Sequence, residues 1–530
     1  MIAGPQPRAA SRRPDTLVLA PILFAALLLR LTGLGARSLW TDEGSTWTAA
    51  SSPLRELIRL CAQKDASPPL FYLLTSLALK IGDTEAWLRS VSVVASLGMV
   101  WLTYRIARLA ASRSEASLAA VLVALSPHQL MFAQEARTYM TVACFTTWAL
   151  YLFARAALLD RRRAWLPFVL VSALGLWTQS IALLGVGVQA TLIVLTPAGR
   201  RNAWRWLLAQ AAAFALYAPW IAINLAQASH LSHSHWYLRT PGGHEVFQVL
   251  RAVFLSPIPL VTPPPGATLP GLEAFLPRPV AHLILTALPI VPLLFGAREA
   301  LRPGPAGQVQ RFALAGLCLP LLAVWLVSFK VPLWLPRYFV FLTPMLAVLT
   351  ARGLWAMRPP GLSYAWTALL LLASGYACFR YSTDYAKEPW RQVVHFIGMN
   401  QQPGHAAVLV PFDVDPFRYY DRRLDPPLAA IEVSHPDVPF ASDYTPRQLD
   451  EMETAARARA ASYDQVWVIV RSPNSEVRRE VARRAERAAE SDGRVLKDRS
   501  IWTSMSGPLR VARFERPAPG DSGAAAKTAH

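Results

Sequence analysis

Two adjacent carboxylates, Asp42 and Glu43, stand in W-T-D-E-G-S-T-W just beyond the first long apolar run. Ionisable groups at the mouth of a membrane bundle are costly to place and point to a site, the bland alternative being a hydrated loop. Consecutive side chains diverge by about 100° on a helix or to opposite faces on a strand, which argues against a glycosidase-type pair. The spacing suits a split role, one carboxylate facing a reaction while the other orients backbone or an arginine. Three further segments are polar: Asp65 ahead of Pro68-Pro69, Gln134-Glu135-Ala136-Arg137-Thr138-Tyr139, and Lys330 with Arg337-Tyr338. The planar fork of an Arg suits phosphate. The competing readings are pairing with a local carboxylate such as Glu135, or snorkelling to a headgroup. A carboxylate that takes a proton from an attacking hydroxyl, with Arg and Lys holding a departing phosphate, describes group transfer from a phosphate-linked donor.

Those segments need a scaffold that gathers them at one face. With 53% hydrophobic and only 16% charged residues, and apolar runs of bilayer length recurring through the first 380 positions, the chain reads as a polytopic α-helical membrane protein. The net charge of +19 does not indicate nucleic acid, because the basic residues form short Arg clusters between apolar runs. Eleven spans are expected, at residues 16–34, 84–104, 115–132, 139–157, 165–177, 181–195, 206–225, 280–295, 312–329, 339–355 and 362–379. With the N-terminus inside, each Arg cluster (Arg105/Arg108/Arg113, Arg161–Arg163, Arg200/Arg201/Arg205, Arg298/Arg302, Arg352/Arg358) falls inside. All four polar segments then fall outside.

That parity depends on Pro68 to Ile81, which is short for a crossing and is read as a helix in the outer interface. The first run lacks a signal-peptide cleavage site and is expected to be retained as a span. The expected organisation is a membrane domain at 1–382, with a first outer loop at 35–82 and a long outer loop at 226–279. A small extracytoplasmic α/β domain follows at 383–516, and a disordered tail at 517–530. Within the small domain, helices are expected at 389–401 and 475–491 and strands at 406–410, 465–470 and 509–514.

Other chemistries find less support. The four cysteines show no disulfide or metal spacing. His230, His233, His235 and His244 match no strong metal signature and read as part of a solvated loop. No Walker A loop, dinucleotide fingerprint or nucleophile elbow is present, which favours a donor already in the membrane.

At these residues the chain resembles the GT-C class of membrane glycosyltransferases, and most of all family 39, the protein O-mannosyltransferases and aminoarabinose transferases. W-T-D-E-G matches the family's acidic pair at Asp42 and Glu43. D-A-S-P-P-L-F-Y-L-L matches D-x-H-P-P-L-Y-Y-L-L with Ser67 in place of His. Q-E-x-R-x-Y matches at Gln134, Glu135, Arg137 and Tyr139, and P-R-Y-F at Pro336 to Phe339. K-E-P-W-R from Lys387 resembles the opening of the outer domain in bacterial relatives. Gln179 stands where relatives often carry a second His. The likeness covers about Leu34 to Ala157 well and the rest loosely.

The resemblance implies a polyprenyl-phosphate-sugar donor, an acceptor glycan, lipid or protein, transfer on the periplasmic face of a bacterial inner membrane, and inversion. It makes Asp42 the base and Glu43 its support, and gives the lipid phosphate to Arg137 with Lys330 or Arg337. Asp65, Glu135 and Tyr139 would line the pocket. No cofactor is implied, and a divalent metal stays open because relatives differ over it. Two other readings stand beside this one. A flippase for a lipid-linked glycan would place its polar residues near mid-span, and an assembly protein could keep the fold without activity.

Overall fold

The computed structural model describes residues 15–517, apart from 64–66, 234–240, 258–259, 261–269, 331–332, 402–405, 413, 435–443, 472–475 and 505–506. The chain opens with α1 (Asp15–Leu31), followed by three short helices: α2 (Thr41–Ser51), α3 (Leu54–Gln63) and α4 (Leu70–Leu79). Then come α5 (Glu85–Ala107), α6 (Arg113–Ala124), α7 (Pro127–Ala133), α8 (Thr138–Phe153), α9 (Trp165–Thr178), α10 (Leu183–Leu195), α11 (Pro197–His233) and α12 (Gly243–Phe254). The bundle ends with α13 (Arg278–Ala300), α14 (Pro305–Val327), α15 (Thr343–Ala356) and α16 (Pro360–Asp384).

Seven helices among the described residues are long and apolar enough to cross a bilayer, or eight if the bent pair α6–α7 is one span. Helices also stand at the other three expected spans: α1, α9 and α10, of 17, 14 and 13 residues. The segment that fixes the parity, α4, has only 10 residues, about half of what a crossing needs.

The expected third span is broken, with its halves meeting at 56°. Pro127 starts the second half, since proline cannot continue the first half's hydrogen bonding. Ser126 caps the new helix through Gln129 N–H. The freed end of α6 is closed by Arg30, fully buried, which donates to the carbonyls of Ala124 (2.9 Å) and Val123 (3.5 Å) and to Ser96 Oγ (2.8 Å). The break turns α7 so that its C-terminus delivers Gln134 to Tyr139 at the end of the bundle that carries the C-terminal domain. Elsewhere the packing is close enough to require glycine: a Cβ at Gly353 in α15 would lie 1.7 Å from the Pro292 carbonyl of α13.

The C-terminal domain contains α17 (Trp390–Asn400), β1 (Ala406–Pro411), α18 (Val414–Asp421), β2 (Ala429–Val433), α19 (Pro446–Ala460), β3 (Gln465–Arg471), α20 (Glu476–Glu490), β4 (Val495–Trp502) and β5 (Leu509–Glu515). Its sheet runs β2-β1-β3-β5-β4, with β1 parallel to β2 and β3, and β5 antiparallel to both its neighbours. Strand alternation divides the core. Ala407 and Leu409 of β1 face α19 and α20. Val408 and Val410 face α17 and α18 in a core that continues into Leu39, Leu88 and Ala136 of the helical part. The C-terminal domain thus packs, through α18 and this core, against α2, the helix that carries the acidic pair.

Candidate active site

Asp42 and Glu43 occupy the first turn of α2 and point apart, as consecutive helical residues must. Glu43 is fully buried. Arg89 in α5 grips it with both arms (Nε to Oε1 and Nη2 to Oε2, each 2.8 Å), Ala136 N–H donates to Oε1 (2.9 Å), and Lys387 Nζ lies 2.9 Å from Oε2. Arg89 also donates to the carbonyls of Leu34, Arg37 and Ser38, so one guanidinium ties the loop before α2 to its carboxylate. Burial alone would raise the Glu43 pKa. Arg89, Lys387 and the Ala136 N–H outweigh it and hold the group down at about 2. A carboxylate with both oxygens so occupied has no room to meet a substrate.

Asp42 is the opposite case, with its side chain 32% exposed. Arg337 Nη1 lies 3.9 Å from Oδ2, a neighbouring charge rather than a hydrogen bond. Arg137, the N-cap of α8, extends Nη1 to the Asp42 carbonyl (3.3 Å), Thr46 Oγ1 (3.3 Å) and Tyr72 OH (3.5 Å). Tyr139 sits between the two arginines, whose guanidinium carbons lie 6.0 and 5.6 Å from its ring. Local structure fixes both. Gln129 of α7 donates to the Val340 carbonyl (2.9 Å) and His128 Nε2 meets the Pro336 carbonyl (3.1 Å), pinning P-R-Y-F beside α7. Gln134 donates to the carbonyls of Arg30 and Thr32 (2.8 Å each), holding the turn into α8.

Glu135 is buried on the inner side of this cluster. Burial raises its pKa to about 7, with Glu43 and Asp42 adding to the rise and Lys387 and Arg337 opposing it. Lys387 is pushed the other way by burial, to about 8, although Glu43 and Glu135 favour its charge.

The structure therefore gathers Asp42, Glu43, Glu135, Arg137, Tyr139 and Arg337. Lys330 stands apart, exposed just beyond α14, its backbone N–H donating to the Val327 carbonyl (2.9 Å) and its side chain outside the cluster. The lysine that reaches the acidic pair is Lys387. Asp65 lies outside the described residues, as do the side chains of His230, His233 and His235. His244 meets Gln248 at 2.7 Å on α12. Among the described residues no three His, Cys, Asp or Glu side chains converge as a metal cage.

Sequence reading missed Arg89 and the contact of Lys387 with Glu43. A signal existed for Arg89, because a lone Arg within an apolar span asks for a buried acid.

Residues 66–223 match the family model of dolichyl-phosphate-mannose-protein mannosyltransferase, a stretch that holds Glu135, Arg137 and Tyr139 and begins after the acidic pair. ArnT from Cupriavidus metallidurans in the apo state superposes with a TM-score of 0.60 at 15% identity, covering 94% of this chain and 98% of that one. The fold is that of the GT-C glycosyltransferases. ArnT bound to undecaprenyl phosphate matches at 0.56 and 15% identity over the same shares. The apo oligosaccharyltransferase of Archaeoglobus fulgidus matches this chain at 0.53 and 13% identity, over 86% of this chain and 70% of that one. No curated sequence matches the chain.

Proposed function

We propose that the chain is an integral-membrane glycosyltransferase that moves a sugar from a polyprenyl-phosphate-linked donor to an acceptor hydroxyl, with inversion. The reaction would take place on the extracytoplasmic face of a bacterial inner membrane. One observation carries the reading: a partly exposed carboxylate, Asp42, stands beside two arginines that share one tyrosine ring.

In the reaction, Asp42 accepts the proton of the acceptor hydroxyl as its oxygen forms a bond to the anomeric carbon. The bond from that carbon to the phosphate oxygen breaks on the opposite face, so a single displacement inverts the centre. Charge builds on the departing phosphate, and Arg137 and Arg337 are the cations placed to receive it. ArnT, which shares the fold, binds undecaprenyl phosphate. This supports a lipid phosphate as the group those arginines meet. Glu43 keeps α2 in place and stays out of contact with the sugar, and Lys387 supplements Arg89 on it. Among the described residues, Arg137 and Arg337 are the countercharge offered to the phosphate.

Asp42→Asn in full-length protein tests the reading. Glycan product in cells, followed by mass spectrometry, should fall by about 10²–10⁴-fold, the usual contribution of a general base. Undecaprenyl phosphate binding and the unfolding midpoint should stay as in the parent. Unchanged product formation would remove Asp42 from the chemistry.

A further inference from the structure

The helix that carries Asp42 is not held by its own sequence. Trp40 occupies the N-cap position of α2 without a side-chain cap, leaving the first N–H groups to find an acceptor elsewhere. The first of them, Thr41 N–H, finds it in the C-terminal segment. Glu388 Oε2 accepts from Thr41 N–H (3.1 Å) and Thr41 Oγ1 (3.0 Å). That oxygen also accepts from Trp390 Nε1 (2.9 Å), while Oε1 pairs with Arg471 Nε of β3 (2.6 Å). A fully buried carboxylate from the domain boundary thus serves as the cap and faces the positive end of the helix.

A second grip holds the other flank of α2. Asp415 in the first turn of α18 accepts from Ser45 Oγ (3.0 Å) and Thr48 Oγ1 (2.8 Å). Between these grips Gly44 has no room for a side chain, since a Cβ there would lie 2.6 Å from both N and Cδ of Pro416. Farther along, Trp47 meets Tyr419 edge-on at 5.3 Å, and Arg422 stacks over both rings. Residues 41, 44, 45, 47 and 48 are therefore all in contact with the C-terminal domain, and residue 43 touches Lys387. Of the first turn, only the Asp42 carboxylate is left facing the arginines.

We propose that Glu388 and Asp415 are positioning residues for transfer, through which the C-terminal domain sets the orientation of Asp42. The inference rests on the proposed role of Asp42. A carboxylate misplaced by about 1 Å can lose on the order of 100-fold in rate while the phosphate site is untouched. The domain is thus part of the catalytic apparatus, whatever else it recognises.

Glu388→Ala, Asp415→Ala and, from the α2 side, the near-isosteric Thr48→Val test this in the full chain reconstituted in nanodiscs. Glu388→Gln serves as a conservative partner that keeps an acceptor for Thr41. Hydrogen exchange is read on peptides covering residues 38–51, binding on undecaprenyl phosphate, and turnover as glycan product in cells. The expected result is exchange of the α2 amides at least about tenfold faster, product down by about 10–100-fold, and undecaprenyl phosphate binding within about twofold of the parent. Glu388→Gln should recover most of the loss. Unchanged α2 exchange and product in Thr48→Val and Asp415→Ala would overturn the proposal, as would Glu388→Ala and Glu388→Gln behaving alike. Asp42→Asn run alongside separates the two ideas. If it keeps full product the assignment of Asp42 as base fails, and the clamp with it, whereas if it loses product and the clamp variants do not, only the clamp fails.

Discussion

The two ends of the helix bundle both bury carboxylates against arginine, and they use them differently. At the end away from the C-terminal domain, Arg352 bridges Glu115 (3.4 Å) and Glu299 (2.8 Å), and Glu299 also takes Arg302 at 3.0 Å. Both acids there are buried and occupied, and the cluster ties α6, α13 and α15 together. At the domain-bearing end Glu43 is equally occupied by Arg89, Lys387 and Ala136 N–H. Its neighbour Asp42 keeps an open side that faces two arginines and a tyrosine. A carboxylate saturated by partners works as a fastening. One held by its backbone, with its side chain left partly in solvent, can exchange a proton. Chemistry is thus separated from mere charge pairing by the unfilled valence beside a filled one.

The comparison breaks most readily at Glu43. Glu43→Gln should leave Arg89 and Lys387 buried without a countercharge and cost about 3–5 kcal/mol of stability, the usual result of removing one partner of a buried pair. The loss should appear as a lower unfolding midpoint in nanodiscs, with product falling in proportion to folded protein. A variant that folds like the parent yet makes no product would place Glu43 in the chemistry and erase the distinction from Asp42.

At the far end, Arg352→Met should cost about 1–3 kcal/mol, because Glu299 keeps Arg302 and only part of the network is lost. Product per folded molecule and undecaprenyl phosphate binding should not change. Loss of binding with retained stability would show that the two ends are coupled and that the second cluster is more than a fastening.

How far these features could be read from the chain depends on the range of the contact. Span positions follow from apolar length and Arg flanks, which are local, and a helix stands at each of the eleven expected segments. The break in the third was not expected, although Ser126-Pro127 marks a helix restart, because residues 115–132 together have the length of a single span. In the C-terminal domain the continuous apolar runs of β1 and β3 were legible, and β5 was expected although Arg510 and Arg513 interrupt its apolar residues. β4 was not, since V-L-K-D-R-S-I-W lies at the sheet edge with most of its side chains in solvent and so has no apolar run. β2 and α18 are only 5 and 8 residues long, too short for a periodic signal. Motif spacing brought out the acidic pair and both arginines. It could not show that Glu43 is closed by Lys387, which arrives after the last span, nor that Lys330 points elsewhere. Those outcomes depend on three-dimensional pairing between distant segments.

The smallest expected effect concerns Glu135, which shares the buried side of the site with Glu43 and lies near Asp42, Lys387 and Arg337. Its pKa is about 7 in the fold against an ordinary 4.5. Between those values the native protein holds a proton that the unfolded chain releases, so this group's contribution to stability falls as pH rises from 4.5 to 7 and is level above. Glu43 has the opposite sign: its pKa of about 2 makes its contribution complete above 4.5 and lost as pH falls towards 2. Lys387, lowered to about 8 from 10.5, adds stability only as pH rises between those values. Glu135→Gln should therefore flatten the decline of the unfolding midpoint between pH 5 and 7 without altering the acid limb. The difference between the parent and variant curves isolates the group from every histidine that titrates in the same window. An identical slope in both would mean that Glu135 is ionised beside Glu43, and Lys387 would then be the charge that permits it.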